Sequence, residues 1–170
     1  MGKKAIEISN LDVEKLIRML NEALAEEWLA YYQYWIGAKV MEGPMRSEVE
    51  PELILHATEE LAHAELVINR ILQLGGTPIL NPADWTKFAR CPYEVPEDPY
   101  IEEILKQNLN GERCAIQRYE EIAEFTNGKD HVTYQLATQI LSDELEHEHD
   151  IEDFLTDLER LKEDIRKMRM

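Results

Sequence analysis

The stretches Glu60-Leu61-Ala62-His63 and Glu144-Leu145-Glu146-His147 decide how this chain folds. Residues three apart on a helix share a face, so each Glu-x-x-His pair aims a carboxylate and an imidazole at one point. A lone glutamate precedes each pair at nearly the same distance: Glu27 lies 33 residues before Glu60, and Glu112 lies 32 before Glu144. Two such pairs and two further carboxylates make a six-ligand, two-metal site of the kind built between the facing helices of a bundle. The chain therefore reads as all-α, a four-helix bundle around a dinuclear carboxylate centre.

Many other glutamates compete for this role, and position on the apolar stripe separates them. In the last helical segment the stripe runs Val132, Leu136, Ile140, Glu144, His147, Ile151, Leu155, Leu158, at spacings of three or four. Glu146-x-x-His149 repeats the local pattern but shares its face with Gln135, Gln139, Ser142 and Asp153, and reads as surface. The other stripes run Leu20, Leu24, Glu27, Tyr31, Tyr34; Leu53, Ala57, Glu60, His63, Val67, Ile71, Leu74; and Ile101, Leu105, Asn108, Glu112, Ala115, Tyr119, Ile122. An isolated buried carboxylate is costly and usually neutralises. Four converging ones would repel, and two metal ions supply the missing positive charge. Carboxylates with two imidazoles suit iron or manganese; zinc is less typical of a thiolate-free set of six. One buried Glu-His pair is more often a satisfied hydrogen bond than a ligand set. Two pairs with two partners at matched spacing are much harder to obtain by chance.

Helices are expected over about 10–40, 48–74, 99–127 and 130–167 of a single domain spanning 1–170. Asn10 is a candidate cap for the first, and Gly43-Pro44 a stop beyond it. Ser47-x-x-Glu50 as a capping box, or Pro51 at the first helical position, opens the second. Gly75-Gly76 closes it. The connection of about 20 residues that follows is longer than most. Within it, Asn81-Pro82 opens a short helix through Phe88. Asp98-Pro99 caps the third helix, Asn127-Gly128 ends it, and the fourth begins near Asp130. Short links within two hairpins and one long crossover between them describe a duplicated hairpin.

The 170 residues are 44% hydrophobic and 31% charged, a globular composition with length enough for a sizeable core. The net charge of −17 opposes nucleic acid and anionic membranes, although a solvated surface explains most of the acid. Lys3 and Lys4 are too slight a tail for DNA. Arg160, Lys162, Arg166, Lys167 and Arg169 suit the C-terminal end of a helix dipole, so no DNA binding is expected. No apolar run approaches a membrane span, and MGKKAIEISN lacks the apolar core of a signal peptide; a cytoplasmic, membrane-free protein is expected. Two cysteines suggest no stapled secreted domain and cannot supply a four-cysteine iron site.

The segments LNEALAEEWLAYYQYW (20–35), EELAHAELVINRILQLGGTP (59–78), ERCAIQRYEEI (112–122) and SDELEHEHDIEDFL (142–155) resemble the helix motifs of the ferritin superfamily, bacterioferritin-like in their site. The likeness covers about Leu11 to Leu161. It implies the ferritin-like bundle and a ferroxidase centre for two iron ions. Glu27 and Glu112 would be terminal ligands, Glu60 and Glu144 bridges, and His63 and His147 one nitrogen ligand per iron. Leu61 stands where bacterioferritin carries its methionine haem ligand, so no haem is expected. No sequence remains after the fourth helix for the fifth of larger ferritin cages. The short helix in the crossover is similar to that of Dps proteins, whose intersubunit metal ligands are not apparent. A bacterioferritin-type site together with a cysteine pair, Cys91-Pro92-Tyr93 and Cys114, resembles the Dps-like thioferritins. That resemblance implies a homo-oligomeric cage of twelve subunits, with twenty-four left open.

Cys114 lies about 200° around the helix from Glu112 and should not ligate the same metals. It could face the crossover and pair with Cys91, pinning the loop beside the centre; two thiols used as small apolar residues is the alternative. Tyr34 lies two turns beyond Glu27, where the family often has a tyrosine able to give an electron to the irons. Trp28 and Tyr31 read as packing, His131 as a helix-start residue, and His56, one turn before Glu60, as a partly exposed histidine, with a place supporting the metal ligands as the alternative. The expected function is Fe(II) oxidation by hydrogen peroxide or dioxygen, with iron storage and protection against oxidative stress. A dimanganese catalase and a DNA-coating protein with a vestigial site are the competing expectations.

Overall fold

A computed structural model describes residues 3–169, and every regular element in that range is helical. In chain order these are α1 (Lys3–Glu7), α2 (Val13–Val40), α3 (Arg46–Gln73), a 3₁₀ turn at Pro82–Asp84 continuing into α4 (Trp85–Phe88), α5 (Ile101–Thr126) and α6 (His131–Met168). α2 pairs with α3 and α5 with α6, and the long crossover between the hairpins carries α4. This is the four-helix bundle with one long crossover expected from the sequence.

The local signals account for most of the boundaries. Asp130 caps α6, its side chain accepting from the amides of Val132 and Thr133. Asn81 caps the turn at Pro82, accepting from Ala83 N. At the end of α3 the Gly76 amide donates to Ile71 O and the Gly75 amide to Leu72 O, a Schellman closure. Gly75 sits at φ 78°. A Cβ on Gly76 would come within 2.8 Å of Ile17, so this turn closes tightly on α2.

Three starts differ from expectation. Asp12, not Asn10, caps α2 by accepting from Lys15 N; the Asn10 amide instead donates to Lys129 O at the α5–α6 turn. α3 begins at Arg46 after a left-handed Met45, so Ser47 and Glu50 lie inside it and form no capping box, and Pro51 is interior. α5 begins at Ile101, because Glu42 clamps the chain there: its amide donates to Pro99 O and its carbonyl accepts from Ile101 N. The α6 stripe also shifts near its start, where Thr133 and Ala137 are buried and Val132 is 46% exposed. Steps of four residues gain about 40° each, so a stripe centred on Ile140 has rotated off Val132.

Two apolar clusters fill the bundle. One gathers Leu16, Leu20, Leu24, Val67, Ile71, Tyr119, Ile122 and Ile140; the other gathers Tyr34, Met41, Leu53, Ile101, Leu105, Ile151 and Leu158. Each large buried side chain contributes about 1.5–3 kcal/mol. Glu27, Glu60, His63, Glu112, Glu144 and His147 occupy the remaining interior, all at most 3% exposed.

The crossover is held along its length. Trp85 stacks on Trp28 with ring centroids 5.4 Å apart. The Arg90 amide donates to Glu26 and the Glu94 amide to Gln33. Cys91 and Cys114 form a disulfide, with Cα atoms 6.4 Å apart, that fastens the loop to α5.

Candidate metal centre

One helix supplies each part of the centre: Glu27 from α2, Glu60 and His63 from α3, Glu112 from α5, Glu144 and His147 from α6. His63 Nδ1 lies 3.6 Å from Glu27, 3.5 Å from Glu60 and 3.3 Å from Glu144. His147 Nδ1 lies 3.4 Å from Glu60, 3.6 Å from Glu112 and 3.4 Å from Glu144. The six residues thus fall into two groups of four, Glu27-Glu60-His63-Glu144 and Glu60-Glu112-Glu144-His147, sharing Glu60 and Glu144.

The hydrogen bonding tests whether metal fits here. Glu27 Oε2, Glu60 Oε1, His63 Nδ1, Glu112 Oε2, both oxygens of Glu144 and His147 Nδ1 are buried without a hydrogen-bond partner. Buried polar atoms are rarely left so. A cation holding its ligands at about 2.1 Å sets neighbouring donor atoms about 3.0–3.4 Å apart, close to the separations above. The donor set is mixed nitrogen and oxygen, with no thiolate, and fits a divalent first-row transition metal.

The outward-facing atoms are all engaged. The Tyr119 hydroxyl donates to Glu27 Oε1, and the Tyr34 hydroxyl to Glu112 Oε1. His63 Nε2 meets Asp143 at 3.2 Å, and His147 Nε2 meets Glu59 at 2.9 Å. These carboxylates favour the tautomer with the proton on Nε2 and a lone pair on the inward Nδ1. The partners cross between hairpins: Asp143 beside Glu144 serves the imidazole of α3, and Glu59 beside Glu60 serves that of α6.

The charge state follows from burial and crowding. Burial, with Glu60 nearby, pushes Glu27 up to about 8. Burial and the carboxylates of Glu60 and Glu112 hold Glu144 well above the usual range. Glu60 goes the other way, to about 2, because the adjacent imidazoles of His147 and His63 favour its charged form by more than burial opposes it. Burial alone would lower both imidazoles; the surrounding carboxylates, Glu144 first for His63 and Glu112 first for His147, raise them instead. Burial and the adjacent carboxylates keep Tyr34 and Tyr119 protonated. Without cations, protons balance the cluster.

Cys91 and Cys114 stand apart from the ligand set. A cavity of about 240 Å³ separates them from it, with the disulfide at one wall and Glu27, Glu60 and Tyr119 at another. Glu146 and His149 are not part of the centre; His149 pairs at the surface with Asp153. His56 corrects expectation: it is 1% exposed, and its ring stacks on His147 at 4.1 Å. Crossing by α6 buries it, and burial, with His147 beside it, lowers its pKa to about 4. Sequence reasoning also missed Glu59, Asp143 and Tyr119. The signal for the first two was an acid immediately before each Glu-x-x-His.

Residues 17–161 match the family model for the ferritin-like domain. The solved dodecameric thioferritin of Bacteroides fragilis, a bacterioferritin-related protein, is 52% identical, with a TM-score of 0.94 over 95% of this chain and 98% of that one. The DNA protection during starvation protein of Pyrococcus furiosus is 40% identical over 91% of this chain and 84% of its own length. A bacterioferritin of Rhodobacter capsulatus is 31% identical over 78% of each.

Proposed function

The chain belongs to the ferritin-like domain family, and from that membership we propose that it oxidises Fe(II) between its four long helices and stores the Fe(III) product within a cage of like subunits. The observation carrying this reading is the set of seven buried donor atoms without partners, converging in two groups that share Glu60 and Glu144.

Fe(II) is the substrate. Each of two ferrous ions gives up one electron; with hydrogen peroxide the O–O bond breaks, two protons are taken up and two waters leave. With dioxygen the same two electrons and two protons yield peroxide. Bound as a pair, the iron supplies both electrons at one place. Glu60 and Glu144 bridge, Glu27 and Glu112 bind at the two ends, and His63 and His147 offer Nδ1 lone pairs. Tyr119 and Tyr34 fix the rotamers of the end carboxylates, and Asp143 and Glu59 fix the imidazoles. Tyr34, hydrogen-bonded to Glu112, is assigned the electron-donor role as well: with a single ferrous ion bound, that ion and Tyr34 each give one electron to hydrogen peroxide, the phenol proton and one further proton are taken up, and two waters leave. Manganese or zinc would fit the same donors as competitors.

Consuming peroxide with Fe(II) removes a source of hydroxyl radical, so protection against oxidative stress follows from the same chemistry. The Bacteroides fragilis relative is dodecameric, and we extend a twelve-subunit shell to this chain. Direct coating of DNA, which the Pyrococcus furiosus name would suggest, is not extended: a net charge of −17 opposes it.

Anaerobic mixing of Fe(II)-loaded protein with peroxide, followed by stopped-flow absorbance, tests the proposal. Glu60→Ala and Glu144→Ala should each slow oxidation at least about 100-fold while far-ultraviolet circular dichroism stays unchanged. Wild-type rates in folded variants would overturn the centre.

A further inference from the structure

The cavity between the metal ligands and the disulfide is larger than peroxide or dioxygen requires. About 150 Å³ is enough to hold benzene. This cavity measures about 240 Å³. It lies between α2 and α5 beneath the crossover, with exposed Pro92 and Asn110 at its mouth and buried Glu27, Glu60 and Tyr119 at its floor.

Two residues indicate that the space is kept for an occupant. Gly111 lies inside α5, where glycine weakens a helix relative to alanine. No left-handed φ calls for glycine there, and a Cβ added to it would meet no atom within 4 Å. Its effect is to leave room in the cavity that it lines. Gln33, on the facing wall, is 8% exposed. Its Oε1 accepts from the Glu94 amide, but among the described residues its Nε2 has no hydrogen-bond partner. A buried amide left half-partnered calls for a further acceptor.

The lining selects the occupant. It holds the carboxylates of Glu26, Glu27, Glu60 and Glu94 with neither lysine nor arginine, which rejects anions. Leu29, Ala30, Ala115 and the disulfide supply apolar walls, which suit a flat ring. Carboxylates stand at both ends, Glu94 near the mouth and Glu27 at the floor, where they can accept from hydroxyls. A neutral ring with a hydroxyl at each end meets all three conditions.

We propose that this cavity binds a dihydroxybenzene of the hydroquinone class, which returns Fe(III) in the dinuclear centre to Fe(II). The binding rests on the cavity; the electron transfer rests on the function proposed above. The ring's two O–H bonds break, its two electrons reduce two Fe(III) to two Fe(II), its two protons pass to water, and it leaves as the quinone. One ring therefore matches one pair of ions, and stored iron gains a reductive way out.

Hydroquinone titrated calorimetrically into the metal-free assembled protein tests the site, with soaked crystals to locate the ring. One ring per chain is expected, with a Kd of about 0.1–1 mM. Benzoate, an anion on the same ring, should not bind. Gly111→Leu should fill the cavity from α5 and Ala30→Leu from α2, each weakening binding at least about tenfold while circular dichroism stays unchanged. Protein carrying two Fe(III) per chain, mixed anaerobically with hydroquinone and a chromogenic Fe(II) chelator, should release iron at least about tenfold faster than either filled variant. No binding to wild type, equal binding of benzoate, undiminished binding in both folded variants, or equal release rates would overturn the proposal. Failure of the dinuclear reading would show separately, as protein that retains no Fe(III) to reduce although the ring still binds.

Discussion

Asp130 joins three parts of the molecule through one carboxylate. Oδ1 accepts from the Val132 and Thr133 amides at the start of α6; Oδ2 accepts from Arg70 at 2.6 Å, from Thr133 Oγ1 and from Ser9. Asp130 and Arg70 are both buried, at 2% and 3% exposure. Asp130→Ala would leave the Arg70 charge unpaired in the interior, and should cost about 3–5 kcal/mol in urea melts. Burial alone would raise the Asp130 pKa, but the Thr133 amide and Arg70 lower it below the ordinary value. A pKa depressed by folding stabilises the protein above the unfolded value, near 4, and that contribution fades as pH falls through the folded value. Wild type should therefore lose stability below about pH 4 more steeply than Asp130→Asn. Equal slopes would remove this carboxylate from the account. At this scale the six central donors were legible, because each interrupts an apolar period that a surface glutamate would not share. Their supports were not. Glu59 and Asp143 serve the opposite hairpin's histidine, Tyr119 reads as one more stripe residue, and His56 is buried against His147, on a helix far later in the chain.

Among the elements, the crossover departs most from what local signals describe. Its short helix was visible in Asn81-Pro82, but the start of α5 was displaced to Ile101 by backbone hydrogen bonds with Glu42, a contact between distant residues. Whether Cys91 and Cys114 meet depends equally on how the loop crosses α5, which periodicity does not encode. The disulfide closes a loop with a sequence separation of 23. Chain entropy assigns it about 3 kcal/mol, so Cys91→Ser/Cys114→Ser should melt roughly 6–12 °C below the oxidised protein by calorimetry. No difference in Tm would mean that Trp85, Arg90 and Glu94 hold the crossover by themselves.

Taken whole, the molecule is two hairpins facing each other across the centre. α2 and α3 provide Glu27, Glu60 and His63; α5 and α6 provide Glu112, Glu144 and His147, with Tyr34 and Tyr119 exchanged across the divide. The crossover joining them is surface chain at Leu80, which is 80% exposed. Cleaved after that residue, the polypeptide becomes two fragments, 1–80 and 81–170, and the second keeps both cysteines. Neither can shield its three central side chains alone. Mixed in equal amounts, they should complement one another, recovering helical ellipticity and a transition-metal capacity that neither piece has in isolation. Fragments that mix without regaining either would show that covalent continuity, rather than the fit of two halves, assembles the interior.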